Sequence, residues 1–273
     1  MFSVVICTYK NDQPHLLADA LSSIHNQDLL PSEVILVQDG PITAEASVII
    51  SKFKIDLESK NISFKLHVFP ENVGHGKARR AGIDAASHDV IAICDADDVN
   101  LQHRFRIQYE YLYQNSKICA VGSHIQEYTN GKPFARKVVP SNSEDLRRYC
   151  RFRCPINQMT VMFRRKDIMA VGGYQDYYHN EDYFLWIRLL NAGYQLANIP
   201  EVLVSANVDP QTYVRRGGFR YFRSELGIQI LLLRYGMSNV AIFVVNVVIR
   251  IFIQLLIPSG LRQVVFKKFF RNL

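Results

Sequence analysis

The sequence predicts an α/β protein whose core is a parallel β-sheet covered by helices on both faces. Short apolar runs alternate with longer segments of helical periodicity through the first hundred residues. The short runs are apolar throughout, which is typical of strands buried on both faces. Polar and acidic residues follow several of these runs, as at "VIAICDADDVN". In such sheets ligands bind beyond the carboxyl ends of the strands.

The first half of the chain gives four strands and three helices in alternation. The predicted strands are "SVVICTY", "EVILVQDG", "SFKLHVF" and "DVIAICDADD". Between them, periodicity predicts helices over 14–27 and 44–58 and over "GKARRAGIDAAS". In the first helix Leu17, Leu21 and Ile24 lie on one stripe.

After Asn100 the alternation changes. "LQHRFRIQYEYLYQNS" is predicted as a helix, and "KICAVGSHIQEY" as a strand that reaches a turn at "TNGKP". A mixed region follows to residue 214, in which Phe184, Ile187 and Leu190 predict a helix with an apolar face. We therefore divide the chain into 1–100 and 101–214, two halves of one domain, and a tail, 215–273.

Charge is distributed unevenly along the chain. The 273 residues carry a net charge of +7, yet the tail from Arg215 onward holds ten Lys or Arg residues and one acid, Glu225. A nucleic-acid-binding face would spread over the folded domain with motif support, so we expect no nucleic-acid partner. The five cysteines include one close pair, Cys150 and Cys154, without a matching second pair, which favours reduced thiols over a zinc site.

The tail contains a run of about 18 apolar residues, Val240 to Pro258. Its polar members Asn246, Arg250 and Gln254 fall on one helical stripe. The length allows a spanning helix, but a stripe with a charge favours a helix lying in the membrane interface. A core or dimerisation helix is the alternative. The following "LRQVVFKKFFRNL" fits anionic lipid on the cytoplasmic leaflet, and since no basic leader opens the chain, we expect no signal peptide.

Three aspartates crowd the end of the fourth strand: Asp95, Asp97 and Asp98. Like charges this close repel one another, so a positive group is expected beside them. Mg²⁺ and Mn²⁺ take oxygen ligands, commonly one or two carboxylates plus substrate phosphates. The cluster is therefore compatible with a divalent metal and a phosphorylated substrate, and a turn whose acids only cap or face water is the alternative.

Five segments in this order and spacing carry a resemblance to a known family: "VVICTYK", "VQDG", "ENVGHGKARRAGI", "CDADD" and "NEDYFLWIRL". Over residues 1–214 the chain resembles the family-2 glycosyltransferases of the GT-A fold, the Rossmann-like type that builds bacterial surface polysaccharides. The resemblance implies a nucleotide-sugar donor, a Mn²⁺ or Mg²⁺ cofactor and inverting sugar transfer. By it, residues 1–100 would bind the donor, and residues 101–214 would hold the acceptor and the catalytic base.

The resemblance also assigns roles to single positions. The donor-binding positions it implies are Thr8, Tyr9, Asp39, Asn72, Gly74, Lys77 and Asp95. Asp39 would bond the base, and Asp97, with Asp95 as its partner, would hold the metal. Asp98 would be a supporting or capping carboxylate. Arg80 replaces an Asn common in relatives, so either it contacts the donor or it is a surface residue.

The "NED" segment would supply the proton acceptor. Inverting transfer needs a base for the acceptor hydroxyl, and Asp182 matches the family's base, with a helix cap as the alternative. Glu181 would orient the acceptor. Arg215 and Arg216, in "YVRRGGF", would close over the pyrophosphate from a glycine-hinged loop, with basic residues that face a membrane as the alternative. The histidines, including His179, are expected to be surface or core residues.

Two departures from other enzyme patterns refine the expected reaction. The Gln-x-x-Arg-Trp motif of processive family members does not follow the predicted base, so we expect single-sugar addition. A nucleotidyltransferase would carry a glycine-rich loop after its first strand, where this chain has "TYKNDQPH". A dinucleotide oxidoreductase would carry G-x-G-x-x-G at the same place, and that motif is missing too. Both absences argue against these two classes of enzyme.

The sequence thus predicts transfer from a UDP-sugar to a lipid-linked oligosaccharide at the cytoplasmic face of the inner membrane. An inactive carbohydrate-binding scaffold of the same fold stays an alternative.

Overall fold

Four parallel strands form one half of the sheet in the computed structural model, which describes residues 1–129, 131–208 and 215–258. They run in the spatial order β3-β2-β1-β4. Their bounds are Ser3–Thr8 (β1), Glu33–Gln38 (β2), Ser63–Val68 (β3) and Val90–Asp95 (β4). All four predicted strands are confirmed.

Helices cover both faces of these strands, as predicted. Their bounds are Pro14–His25 (α1), Ala44–Ser59 (α2) and His75–Ala85 (α3). Val4 and Ile6 of β1 pack into the apolar cluster that includes residues of α1 and α2. Val5, which points to the other face, packs into the cluster that includes Ala78 and Ile83 of α3. The alternation along β1 therefore explains the two layers of helices.

The second half of the sheet is mixed, so the prediction of a mostly parallel sheet is correct for the first half only. The further strands are Val99–Asn100 (β5), Ile118–Thr129 (β6), Lys132–Lys137 (β7), Met162–Arg164 (β8) and Gln195–Asn207 (β9). The order continues β4-β8-β6-β9-β5, and β7 pairs with β6. Short β8 enters antiparallel between β4 and β6, which breaks the parallel pattern.

The remaining helices of this half stabilise the junction between the strands. Their bounds are Arg104–Gln114 (α4), Ser143–Tyr149 (α5), Arg165–Ala170 (α6) and Glu181–Asn191 (α7). Arg104 is fully buried and donates to the carbonyl oxygens of Ile93, at 2.8 Å, and Val161, at 3.2 Å. A buried guanidinium thus hydrogen-bonds to the backbone of β4 and of the segment that precedes β8. The turn predicted at "TNGKP" includes Asn130, which lies outside the described residues.

Two helices of the tail pack on the domain and are joined by hydrogen bonds between buried polar side chains. They span Phe219–Arg234 (α8) and Val240–Ile251 (α9), and a short π-helix follows at Phe252–Leu256. The predicted polar stripe of α9 points into the protein, since Asn246 and Gln254 are buried. Asn246 donates to Gln229 Oε1 at 2.9 Å.

The polar stripe of α9 faces the protein, where Arg250 forms an ion pair of 2.6 Å with Glu225 of α8. The placement of this helix in a membrane interface stays a prediction. Within the described ranges, no helix is long and apolar enough to cross a membrane. The basic segment "LRQVVFKKFFRNL" lies outside the described residues.

The ion pair between Arg250 and Glu225 gives a test of how α9 is held. Both side chains are almost fully buried, so Arg250→Leu leaves an unpaired carboxylate and should lower the free energy of unfolding by about 3 kcal/mol. Denaturant unfolding measures this change. As a control, Arg148→Leu removes an exposed pair with Glu144 and should cost less than about 1 kcal/mol. Equal losses in both variants would contradict this account of α9.

Candidate functional site

The carboxyl ends of β1, β2 and β4 bring the predicted donor-binding residues to one edge of the sheet. Parallel register places Thr8 opposite Gln38, the residue before Asp39, and places Cys7 opposite Asp95. Thr8 is buried, and so is Asp39, while Asp95 is partly exposed. The sheet therefore collects side chains that are up to 87 positions apart in sequence, Thr8 and Asp95, at one crevice.

Asp39 holds the loop between β3 and α3. Its carboxylate accepts hydrogen bonds from the backbone N–H of Val73 at 2.6 Å and of Gly74 at 3.1 Å, and from Asn72 Nδ2 at 2.9 Å. Gly40 has a φ of +86°, and a Cβ there would lie 2.8 Å from the backbone nitrogen of Asn72. The Asp-Gly turn is thus built so that the loop approaches the end of β2 closely.

The three crowded aspartates occupy three different environments. Asp95 pairs with a buried arginine. Asp98 is buried and accepts a hydrogen bond from the backbone N–H of Asn207 at 2.8 Å, so it ties the turn to β9. Burial and repulsion from Asp97 and Asp95 raise the pKa of Asp98 well above its usual range. This is the supporting role predicted as one reading of Asp98.

Asp97 is the aspartate whose side chain is exposed. Desolvation by the surrounding protein, then repulsion from Asp95 and Asp12, raise the pKa of Asp97 to about 7, although the charge of Arg215 opposes the change. The local structure thus concentrates negative charge at Asp97 without fully compensating it. A cation bound there would relieve this repulsion.

Arg79 is the residue that the sequence analysis missed. It is buried in α3 and forms ion pairs with Asp95, at 3.0 Å, and with Glu181, at 2.6 Å. Burial alone would lower the pKa of Arg79, but the two carboxylates outweigh it and raise the pKa. A signal existed in the sequence, because Arg79 lies on the same helical stripe as buried Gly82 and Ile83.

Glu181 and Asp182 open α7, as predicted, but they differ in surroundings. Glu181 forms an ion pair with Arg79. Asp182 is partly exposed and accepts a hydrogen bond from the Cys154 thiol at 3.5 Å. Burial, then repulsion from Glu181, raise the pKa of Asp182 to about 6. The Asn180 side chain makes no capping hydrogen bond to the helix, and Asp182 also accepts from the backbone N–H of the next residue, Tyr183, at 2.7 Å.

Other residues named in the sequence analysis lie close to these acids. The Tyr9 backbone N–H donates to Asp12 Oδ2 at 2.9 Å, and the Tyr9 ring packs edge-on against His75, with centroids 5.9 Å apart. Arg215 is close enough to Asp97 and Tyr9 to influence their pKa values. His179, three positions before Asp182, has a φ of +54°, which is uncommon for a residue other than glycine.

Three further residues named in the sequence analysis have partners of their own. Lys77 is exposed, and its Nζ is 3.8 Å from Asp176. Arg80 pairs with Asp84 of its own helix at 2.8 Å, which agrees with the surface alternative. Arg216 lies near Tyr221. Burial raises the pKa of Tyr221, and the charge of Arg216 opposes this rise only in part.

A cleft of about 480 Å³ lies beside Asp39, a volume within the usual range for small-ligand sites. Its lining residues are Lys10, Asp39, Pro41, Ile42, Thr43, Pro70, Glu71 and Asn72. A larger cleft of about 600 Å³ lies between α1 and β5. Because its described lining holds none of the predicted residues, the cleft at Asp39 is the better candidate for a ligand site.

The acids of the crevice suit a metal only together with a substrate. Among the described residues, no group of three or more His, Cys, Asp or Glu side chains is arranged to hold a metal ion. Asp95 and Asp97 offer two carboxylates, the number that Mg²⁺ sites commonly take from protein when phosphates complete the shell. The oxygen donors therefore fit a hard divalent cation bound with a phosphorylated ligand.

Comparisons with known proteins show what the chain is similar to. The family model described as "Glycosyl transferase family 2" matches residues 3–172. The chain is 34% identical to an Escherichia coli protein named UDP-Gal:alpha-D-GlcNAc-diphosphoundecaprenol beta-1,3-galactosyltransferase, over 99% of this chain and 97% of the relative.

A second relative and a solved structure extend these comparisons. The amylovoran biosynthesis glycosyltransferase AmsE of Erwinia amylovora is 30% identical over 83% of each chain. The structure of residues 1–349 of S. aureus TarS in complex with UDP-GlcNAc superposes with a TM-score of 0.66 at 15% identity, over 92% of this chain and 72% of the other. This last similarity concerns the fold alone.

The double ion pair of Arg79 gives a test of the site. Arg79→Met leaves Asp95 and Glu181 facing each other without a cation, so we expect a loss of about 3–5 kcal/mol in the free energy of unfolding. Arg80→Met is the matched control one position along α3, and it should cost less than about 1 kcal/mol because its ion pair is exposed. Denaturant titration measures both. An Arg79→Met loss no larger than the control's would show that the bridge does not support the fold.

Proposed function

This chain belongs to glycosyl transferase family 2, and on that premise we propose that it is an inverting transferase that moves one sugar from a UDP-sugar to a lipid-linked oligosaccharide. Its glycosyltransferase class and α/β fold of the GT-A type follow from the family match and the structural similarity. The observation that supports the full proposal best is the Arg79 bridge, which joins the aspartate cluster to the start of the helix bearing Asp182.

The donor half of the proposal rests on the edge formed by β1, β2 and β4. Asp39 and the loop that it holds border the cleft of suitable volume, where we place the nucleoside of the donor. Thr8, Tyr9, Asn72 and Lys77 are proposed as further donor contacts. The E. coli relative is named for UDP-Gal, which favours a uridine nucleotide here.

The metal half rests on Asp95 and Asp97, which would hold Mn²⁺ or Mg²⁺ together with the donor phosphates. Bound there, the ion would neutralise the charge that develops on the departing diphosphate. Arg79 keeps Asp95 in place from within the protein. Arg215 and Arg216 are proposed as contacts of the pyrophosphate.

Asp182 is proposed as the general base. Its carboxylate takes the proton of the acceptor hydroxyl, and the hydroxyl oxygen bonds to the anomeric carbon as the bond from that carbon to the phosphate oxygen breaks. Attack from the face opposite the nucleotide inverts the configuration. Arg79 neutralises Glu181, and so limits the repulsion between Glu181 and Asp182.

The proposed acceptor is a glycan attached to a lipid, in the synthesis of a cell-surface polysaccharide such as capsule, O-antigen or exopolysaccharide. The E. coli relative is named for a sugar linked to diphosphoundecaprenol, and AmsE is named for amylovoran synthesis. We accordingly propose that the protein works at the cytoplasmic face of the plasma membrane.

Calorimetric titration with UDP and with GDP, each with Mn²⁺ and with EDTA, tests the donor and metal sites. We expect UDP to bind with Mn²⁺ and to bind at least tenfold more weakly in Asp97→Asn, which removes one charged ligand. Asp19→Asn, an exposed change on α1, is the matched control and should bind UDP as the wild type does. Absence of nucleotide binding under all conditions would favour the inactive scaffold, and a preference for GDP would overturn the UDP assignment.

The base gives a prediction about rate and pH. Since only the ionised carboxylate accepts a proton and the pKa of Asp182 is about 6, kcat should fall as the pH drops through 6, at saturating donor, acceptor and Mn²⁺. Asp182→Asn should lower kcat by about 10²–10⁴-fold while UDP binding is retained. Stopped assays of product formation measure both effects. A kcat unchanged in Asp182→Asn would exclude this residue as the base.

A further inference from the structure

The tail helices carry a large apolar surface that faces away from the protein. Nine of the large apolar side chains between Val240 and Leu256 are exposed. They are Val240, Val244, Val245, Val248, Ile249, Ile251, Phe252, Leu255 and Leu256. We call this set the apolar plate. Contiguous apolar surfaces of this kind mark interaction sites in folded proteins.

The plate exists because the polarity of α9 is reversed relative to an ordinary surface helix. An ordinary helix buries its apolar stripe and turns its polar face to water. Here the polar residues are the buried ones: Asn246 is 3% exposed and Gln254 is 6% exposed. Arg250 is neutralised by Glu225 in the protein. The polar side chains therefore attach the helix to the domain and leave the apolar side for another partner.

The polar attachments reach the loops that surround the proposed base. Asn246 Nδ2 donates to the carbonyl oxygen of Arg151 at 2.9 Å, and Arg250 donates to that of Phe152 at 3.0 Å. The same loop presents Cys154 to Asp182. The apolar plate is thus fixed to the loop beside the catalytic carboxylate.

A second set of bonds leads from α8 to the residues just before the base. Ser224 Oγ donates to the carbonyl oxygen of Tyr178 at 2.7 Å and accepts from Asn180 Nδ2 at 3.0 Å. Since α8 and α9 are joined by the Arg250 pair, the two helices hold both loops at Asp182 in one arrangement.

From these observations we propose that the apolar plate is the surface with which the protein binds an anionic lipid bilayer, lying in one leaflet without crossing it. Together α9 and the π-helix that continues it, Val240–Ile251 and Phe252–Leu256, measure about 25 Å, shorter than the roughly 30 Å hydrocarbon core. An apolar helix face that enters the interfacial region of a bilayer needs no such length.

The charge of the tail selects the membrane over a second copy of the chain. The tail is strongly basic in sequence: from Arg215 onward it holds ten Lys or Arg residues and one acid, Glu225, which pairs with Arg250. Four of them follow the plate within the 15 residues after Pro258, a stretch free of Asp and Glu. A symmetric dimer would bring these like charges together, whereas an anionic leaflet attracts them.

The inference rests on the proposed function in one respect: a lipid-linked acceptor gives this surface its use. Bilayer binding would hold the loops of the base at the membrane where such an acceptor lies. The assignment of the apolar plate as a membrane surface depends on burial and charge alone. Vesicle binding can therefore be tested separately from catalysis.

Flotation of the full chain with vesicles tests the proposal. Wild type should bind vesicles of phosphatidylethanolamine with phosphatidylglycerol, and bind less to phosphatidylcholine alone or in high salt. The triple variant Val244→Ser, Val248→Ser and Phe252→Ser, at positions 51%, 58% and 58% exposed, should bind roughly tenfold less. The matched control Val48→Ser with Ile55→Ser, at positions 69% and 65% exposed on α2, should bind as wild type.

Three outcomes would overturn the proposal: wild type that stays unbound, a triple variant that binds as well as wild type, or lipid-free wild type that sediments as a dimer which the triple substitution dissociates. Circular dichroism and UDP calorimetry on the same samples check that each variant is folded. Wild type that floats but binds no nucleotide would overturn the proposed function and leave the membrane surface standing. Nucleotide binding without flotation would overturn the membrane surface and leave the proposed function standing.

Discussion

The buried guanidinium of Arg79 is the interaction on which the arrangement of the site depends. It lies between a carboxylate at the end of β4 and a carboxylate at the start of α7, at 3.0 and 2.6 Å. Without a cation there, a buried and a partly exposed negative charge would face each other, at a cost of several kcal/mol. The bridge therefore lets the acidic end of β4 and the acidic start of α7 lie side by side.

The same electrostatic constraint explains why three aspartates can end one strand. Asp95 is compensated by Arg79, and Asp98 is buried with a backbone N–H as its partner. Asp97 alone is exposed, and its pKa is raised to about 7. The fold thus supports two of the three acids from within, whereas the third is exposed and is the one we propose as a metal ligand. Acids with strongly raised pKa values are common at functional sites.

The tail shows how the same residues can have opposite meanings in sequence and in structure. Asn246, Arg250 and Gln254 form a polar stripe on a helix, and such a stripe normally faces water. In the structure the stripe forms hydrogen bonds and an ion pair with α8 and hydrogen bonds with the loop at Arg151. These contacts form because a buried polar side chain needs a hydrogen-bonding or charged partner. The hydrophobic side of the helix is exposed as a consequence. Burial of polar atoms, and not of apolar ones, decides the orientation of α9.

Local pattern in the sequence was enough to predict the four parallel strands, the helices that cover them, and the meeting of Thr8, Asp39 and Asp95 at one edge. These features depend on periodicity and on a general rule of parallel sheets, so short windows of sequence contain them. The tertiary structure alone decided the antiparallel entry of β8, the burial of Arg79 and Arg104, and the direction of the stripe on α9. In each case the outcome depends on a partner distant in the chain, because a charged or polar side chain is buried only where another segment supplies its counter-charge or hydrogen bond.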